Sequence, residues 1–125
     1  STLFPYTTLF RSDDQGGNKV RMKWFGSNTN LHSVWDSKLI EYKGFSYTEY
    51  ASYLHDVYGH QRKDILRMSE GETLLHTYHV TDAIYQYHST WSGNTYHYAY
   101  QWVETAEYQM YMAGIRLAKH LNELF

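Results

Sequence analysis

The stretch GGNKVRMKWFGSNTNLHSVWD, residues 16–36, decides the fold of the first part of this chain. Charged and apolar residues alternate over residues 19–25, which is the period of a half-buried β-strand. Gly26 lets the chain turn out of that strand. Any of the three polar residues 28–30 can cap a helix that begins near Leu31. The stretch therefore predicts a strand, a turn and the start of a helix.

His32 and Asp36 are the residues of this stretch whose types and spacing suit chemistry. They stand four positions apart on the predicted helix, so their side chains project from one face. An imidazole nitrogen and a carboxylate oxygen on neighbouring turns can bind one zinc ion together, and a catalytic zinc site needs about three protein ligands. The pair therefore supplies part of a metal site. Taken alone, the spacing also fits a solvated ion pair or a hydrogen-bonded core histidine.

Several motifs at fixed spacing surround this pair. GGN at residues 16–18 precedes the strand, WFG at residues 24–26 ends it, and NLHxxWD at residues 30–36 begins the helix. Near the other end of the chain, AGIRLA at residues 113–118 is followed by LNE at residues 121–123. Together these motifs resemble the zinc-dependent single-strand-specific nucleases of the nuclease S-one and nuclease P-one family.

The resemblance implies a mostly α-helical fold with one short β-strand or hairpin near the N-terminus. Residues 13–125 are then the C-terminal portion of a single nuclease domain. His32 and Asp36 are implied to bind one ion of a three-zinc cluster, and no catalytic residue beyond these metal ligands is implied here. The family's other ligands precede the GGN motif, so this chain holds at most one partial zinc site. Three residues are expected to support that site: Asn18, Asn30 and Trp35.

The function implied by the resemblance is that of an endonuclease of the hydrolase class. Such an enzyme uses metal-activated water on phosphodiester bonds of single-stranded DNA and RNA, and also removes 3′-terminal phosphates from nucleotides. Its partners are single-stranded nucleic acids and nucleotides, with no membrane and no obligate protein partner. Relatives are exported, so a secreted or periplasmic location is expected. With two zinc ligands only, the chain itself is expected to be inactive or nearly so.

Two alternatives stay open at the level of sequence. A zinc-dependent phospholipase C of the same superfamily would use a similar cluster on a lipid phosphodiester, although the GGN and NLHxxWD motifs look more like the nuclease branch. In a different class, the chain could be a non-catalytic helical interaction module in which His32 and Asp36 pair with each other. Zinc binding and the identity of the cleaved substrate separate the three possibilities.

The first twelve residues do not share the pattern of the rest. Residues 2–12, TLFPYTTLFRS, match residue for residue the translation of a common sequencing-adapter oligonucleotide in one frame. We therefore interpret residues 1–12 as an adapter-derived segment that is not native, with a genuine N-terminal arm as the alternative.

The composition is that of an ordinary globular protein, with 42% hydrophobic residues among 125. With 11 basic and 13 acidic residues, the net charge of −2 provides no basic surface for duplex DNA or an anionic membrane. In a nuclease, the charge of a metal cluster can replace such a surface. The absence of cysteine excludes disulfides and thiolate metal sites, which leaves zinc to histidine and carboxylate. No apolar run is long enough to cross a membrane.

Downstream of the motifs the sequence predicts helices. One helix is predicted to end near residue 58 and another near residue 87, with a short helix over about residues 61–68 between them. A last helix is predicted to run from about residue 98 to the C-terminus. Two segments have the spacing of capping boxes, Ser46 with Glu49 and Ser69 with Glu72.

Other side chains in this half of the chain admit a chemical and a structural interpretation. His76, His79 and Asp82 have a spacing that could hold a metal, but no family motif covers them, so a hydrogen-bonded or solvated role is favoured. Trp35 and the 14 tyrosines could stack on bases, yet such residues at helical spacing more often pack in a core or line a cleft.

Overall fold

A β-hairpin begins the described part of the chain. The computed structural model describes residues 15–125, and the segment predicted to be adapter-derived, residues 1–12, lies outside the described residues. Strand β1 (Arg21–Trp24) pairs antiparallel with β2 (Ser27–Asn30). Met22 and Trp24 are buried, and Arg21 and Lys23 are exposed, as the alternation predicts. The predicted strand is thus confirmed over residues 21–24.

The hairpin turns through two residues with positive φ, Phe25 at 48° and Gly26 at 83°. Positive φ at both central positions is characteristic of a type I′ turn, whose twist matches that of the flanking strands. Phenylalanine rarely adopts this conformation because its Cβ crowds the backbone. Here the Phe25 N–H donates to Thr95 Oγ1 at 3.0 Å, and the Phe25 ring lies parallel to the Tyr42 ring with centroids 6.3 Å apart. Contacts from distant segments therefore hold the turn.

Residues 31–41 form one continuous helical segment, here called the site helix. It consists of α1 (Leu31–Ser33), a π-helical turn (Val34–Lys38) and α2 (Leu39–Glu41). Of the possible capping residues, Asn30 caps it, because its side-chain oxygen accepts a hydrogen bond from the Ser33 N–H at 2.8 Å. The helix start is as predicted. The sequence did not indicate the π-helical turn, in which the Leu39 N–H bonds to the Val34 carbonyl instead of the carbonyl four residues back.

The rest of the described chain is helical: α3 (Tyr47–Tyr58), a short 3₁₀ turn (Gly59–Gln61), α4 (Arg62–Arg67), α5 (Glu70–Thr90) and α6 (Thr95–Leu124). Both predicted capping boxes form. Helix α6 begins earlier than predicted because the Asn94 side chain accepts a hydrogen bond from the His97 N–H at 3.1 Å. None of the helices in the described range combines the length and the apolar composition that a bilayer crossing requires.

The main core lies where the hairpin and the site helix pack against α5 and α6. The site helix contributes four side chains with no exposed surface: Leu31, Val34, Trp35 and Leu39. Opposite them lie Ile84 of α5 and a stripe of α6: Tyr98, Ala99, Trp102, Val103 and Ala106. The burial of Trp35 confirms a core role for that ring. The core fixes the site helix on a rigid base of two long helices.

A second, polar cluster joins α3 and α6 around Glu107, which has no exposed surface. Its carboxylate accepts hydrogen bonds from the hydroxyls of Tyr50 at 2.7 Å and Tyr58 at 2.9 Å, and it pairs with Lys43 Nζ at 2.8 Å. A carboxylate buried without partners would cost several kcal/mol, so three partners are what its position requires. This cluster ties the chain that follows the site helix to α6.

Raising the pH above 10 is expected to destabilise this fold. Burial, together with Glu107, raises the pKa of Tyr50 and of Tyr58 above the ordinary 10.0, and burial raises that of Tyr98. Above pH 10 the unfolded chain therefore binds fewer protons than the folded one, and stability falls as pH rises, by at most about 1.4 kcal/mol per pH unit for each tyrosine. Urea unfolding at about pH 8 and about pH 11 measures this effect. Equal free energies of unfolding at both values would contradict it.

Candidate metal centre

The GGN motif lies against the first turn of the site helix. Gly16 and Gly17 have φ values of 66° and 91°, which residues with side chains rarely adopt. The Gly17 carbonyl accepts hydrogen bonds from the backbone N–H groups of Val20 and His32, both at 3.2 Å. A Cβ atom on Gly17 would stand 3.0 Å from the backbone nitrogen of His32. Glycine at this position therefore permits the close approach that holds the His32 backbone.

The same loop fixes the His32 ring. Its Nδ1 lies 3.0 Å from the Gly16 carbonyl oxygen. Because a carbonyl oxygen can only accept, Nδ1 carries the hydrogen and donates it. In the neutral imidazole Nε2 then keeps its lone pair. This is the arrangement of metal-binding histidines, whose other ring nitrogen commonly donates to a carbonyl or carboxylate that sets the tautomer and the ring orientation.

Asp36 lies in the π-helical turn, four positions after His32. Both side chains are partly exposed, whereas their neighbours on the core face of the site helix are fully buried. The two donors are therefore reachable from solvent. Turns of the π type occur often at functional sites. A neutral imidazole nitrogen and a carboxylate oxygen form a donor set that suits zinc, so the residues present fit this metal.

Three residues are predicted to support the site, and each makes a contact that fixes either the GGN loop or the site helix. Asn18 donates from Nδ2 to the Gln15 carbonyl at 2.8 Å, which fixes the neighbouring backbone. Asn30 caps the site helix. Trp35 is fully buried and donates from Nε1 to the Tyr98 hydroxyl at 2.9 Å. Sequence reasoning did not identify Tyr98, because its contribution depends on the packing of α6 against the site helix.

No three histidine, cysteine, aspartate or glutamate side chains within residues 15–125 come together as a metal-binding group. His32 and Asp36 offer two candidate ligands, fewer than the three or so protein ligands of a catalytic zinc site. His76, whose spacing suggested a metal site in principle, instead donates from Nε2 to Gln109 Oε1 at 3.0 Å. This is the hydrogen-bonded role that the sequence favours for it.

A pocket of about 340 Å³ lies at the hairpin turn, beside the site helix. Its walls come from Trp24, Phe25, Lys38, Glu41 and Tyr42, and neither zinc-ligand candidate lines it. The candidate metal centre is therefore defined by the ligand atoms of His32 and Asp36 and the hydrogen bond of the His32 ring, and not by an enclosed volume.

The chain is similar to known proteins over most of its length. The model of the family described as S1/P1 Nuclease matches residues 6–125. Two proteins of Arabidopsis thaliana align with it over 28 residues, Endonuclease 3 at 54% identity and Endonuclease 4 at 50%. The aligned segment covers 22% of this chain and only 10% and 9% of the two relatives, respectively. No solved structure gives a significant match.

Proposed function

Because this chain belongs to the S1/P1 nuclease family, we propose that it forms part of a zinc-dependent nuclease in which His32 and Asp36 bind one zinc ion. The nuclease hydrolyses phosphodiester bonds of single-stranded DNA and RNA, acts also as a 3′-nucleotidase, and works after export from the cytoplasm. Both Arabidopsis relatives are named as endonucleases, which supports the nuclease branch over the phospholipase branch. This chain alone, with two ligands, has little or no activity.

The hydrogen bond between His32 Nδ1 and the Gly16 carbonyl is the observation on which the proposal rests. In the neutral imidazole, this hydrogen bond leaves the lone pair of Nε2 available for a metal ion, on a ring that is partly exposed. The alternative of a simple His32–Asp36 ion pair has no such support, because the ion pairs among the described residues do not include one between these two side chains. Both donor groups are therefore free to bind a metal.

Each residue of the centre has a separable task. Bound zinc supplies positive charge that polarises the phosphate and lowers the pKa of the attacking water. His32 offers a neutral nitrogen, which Gly16 holds in one tautomer, and Asp36 offers a negative oxygen. The buried face of the site helix keeps both donors on a fixed backbone, so little conformational freedom is lost when they bind the metal.

A single-stranded substrate suits this chain better than duplex DNA. The net charge of −2 leaves no basic surface of the kind that binds the backbone of a duplex. A metal centre places positive charge only where the reacting phosphate binds. A cleft that reads an unstacked base also excludes a base that is paired.

Zinc titration of this chain tests the metal ligands. The wild-type chain is expected to bind one zinc ion, and His32→Ala and Asp36→Ala are each expected to weaken binding about 100-fold, because each removes half of the donor set. His79→Ala and Asp82→Ala are matched controls, since both residues are exposed and lie outside the centre. Equal weakening by the control substitutions would refute the assignment of His32 and Asp36.

Restoring the family's full-length domain at the N-terminus tests the substrate. The restored protein is expected to cleave single-stranded DNA much faster than duplex DNA, and His32→Ala is expected to abolish the cleavage. Hydrolysis of phosphatidylcholine in place of DNA would favour the phospholipase C alternative. Failure to bind zinc would favour the helical interaction module.

A further inference from the structure

A buried hydrogen bond joins the last helix to the segment that bears the two metal ligands. Trp35 Nε1 donates to the hydroxyl oxygen of Tyr98 at 2.9 Å, across 63 residues of sequence. Neither side chain has exposed surface. Trp35 directly precedes Asp36 in the π-helical turn, so a displacement of the Trp35 ring also displaces the backbone of that turn.

Tyr98 is itself held by rings from three parts of the chain. It makes edge-to-face contacts with Trp24 of β1 at 6.1 Å, Tyr87 of α5 at 5.6 Å and Trp91 at 5.1 Å between ring centroids. A ring packed in this way cannot change rotamer without displacing its neighbours. Tyr98 is therefore a rigid hydrogen-bond acceptor for the indole N–H of Trp35.

We propose that Tyr98 is a positioning residue of the metal centre: through Trp35 it holds residues 34–38 in the π-helical turn that places Asp36 relative to His32. The inference rests on the proposed role of these two residues as zinc ligands. A π-helical turn is rare in proteins, so specific packing must stabilise it here. Removing the Tyr98 hydroxyl takes away the acceptor that Trp35 Nε1 contacts at 2.9 Å, which favours movement of Trp35 and relaxation of the turn.

Tyr98→Phe tests the inference because it removes the hydroxyl and keeps the ring. Tyr111→Phe is the matched control, since the Tyr111 hydroxyl is also buried but has no hydrogen-bond partner within residues 15–125. In ¹⁵N nuclear magnetic resonance spectra of the 125-residue chain, Tyr98→Phe is expected to shift the Trp35 indole signal and the amides of residues 34–38. It is also expected to weaken zinc binding about three- to tenfold, less than the roughly 10–100-fold effect of residues that contact a ligand directly.

The possible results separate this inference from the proposed function. Wild-type zinc affinity and wild-type amide signals over residues 34–38 in Tyr98→Phe would overturn the positioning role alone. A wild-type chain that binds no zinc through His32 would overturn the proposed function, and the positioning role with it. If Tyr98→Phe does not fold, Trp35→Phe removes the same hydrogen bond from its other end, and unchanged zinc affinity in that variant overturns the inference.

Discussion

Replacing Glu107 with alanine is expected to lower the free energy of unfolding by about 3–5 kcal/mol, the usual cost of breaking a buried ion pair. The fully buried carboxylate is the shared acceptor for the hydroxyls of Tyr50 and Tyr58 and the partner of the Lys43 ammonium. Its removal leaves these polar groups without that acceptor inside the protein. Since native proteins are stable by only about 5–15 kcal/mol, a loss of about 3–5 kcal/mol is a large fraction of such a total.

Urea unfolding followed by circular dichroism measures this loss. Glu104→Ala is the matched control, because Glu104 lies one turn earlier on α6 with an exposed side chain, and its change should stay within about 0.5 kcal/mol. Glu107→Gln keeps the volume and one acceptor oxygen, so an intermediate loss is expected. Similar free energies for Glu107→Ala and Glu104→Ala would show that the cluster adds nothing to stability.

The elements that sequence predicts correctly are those with local signals. A capping box needs only two residues three positions apart, and the alternation in β1 depends only on which face of the strand each side chain occupies. The π-helical turn and the positive φ of Phe25 could not be predicted in this way. Both depend on α6, which contacts them through Tyr98 and Thr95, more than 60 residues away.

In the candidate site, too, the features with a local sequence signal can be predicted, and those that depend on tertiary contacts cannot. The motif predicts His32 and Asp36 as zinc ligands, but no residue type signals that the Gly16 carbonyl accepts a hydrogen bond from His32 Nδ1. Glu107 could have been found from its position. It lies four residues after Val103 and eight after Ala99, on the buried stripe of α6, where a carboxylate requires partners. Their identity depends on how α3 packs, which the sequence does not reveal.

Replacing Gly17 with alanine is expected to destabilise the chain by about 2–4 kcal/mol and to move His32. The φ of 91° alone costs a residue with a side chain roughly 1–2 kcal/mol. The new Cβ would also stand 3.0 Å from the His32 nitrogen and 3.4 Å from its Cα, which are backbone atoms in the first turn of the site helix. Gly16→Ala is the matched control, because at its φ of 66° no atom of residues 15–125, apart from Gly16 and its two chain neighbours, lies within 4 Å of the added Cβ.

The two glycine substitutions separate backbone strain from the positioning of the ligand. Both are measured by urea unfolding and by zinc titration. Gly16→Ala keeps the carbonyl that accepts from His32 Nδ1, so it is expected to reduce stability by about 1 kcal/mol and to weaken zinc binding less than Gly17→Ala, which should weaken it about tenfold or more. The reason is geometric: the His32 N–H already bonds to the Gly17 carbonyl at 3.2 Å, so a Cβ on Gly17 must displace the His32 backbone that this hydrogen bond holds. Equal zinc affinities in the two variants would mean that the GGN motif only turns the chain, and that the orientation of His32 is set by the site helix alone.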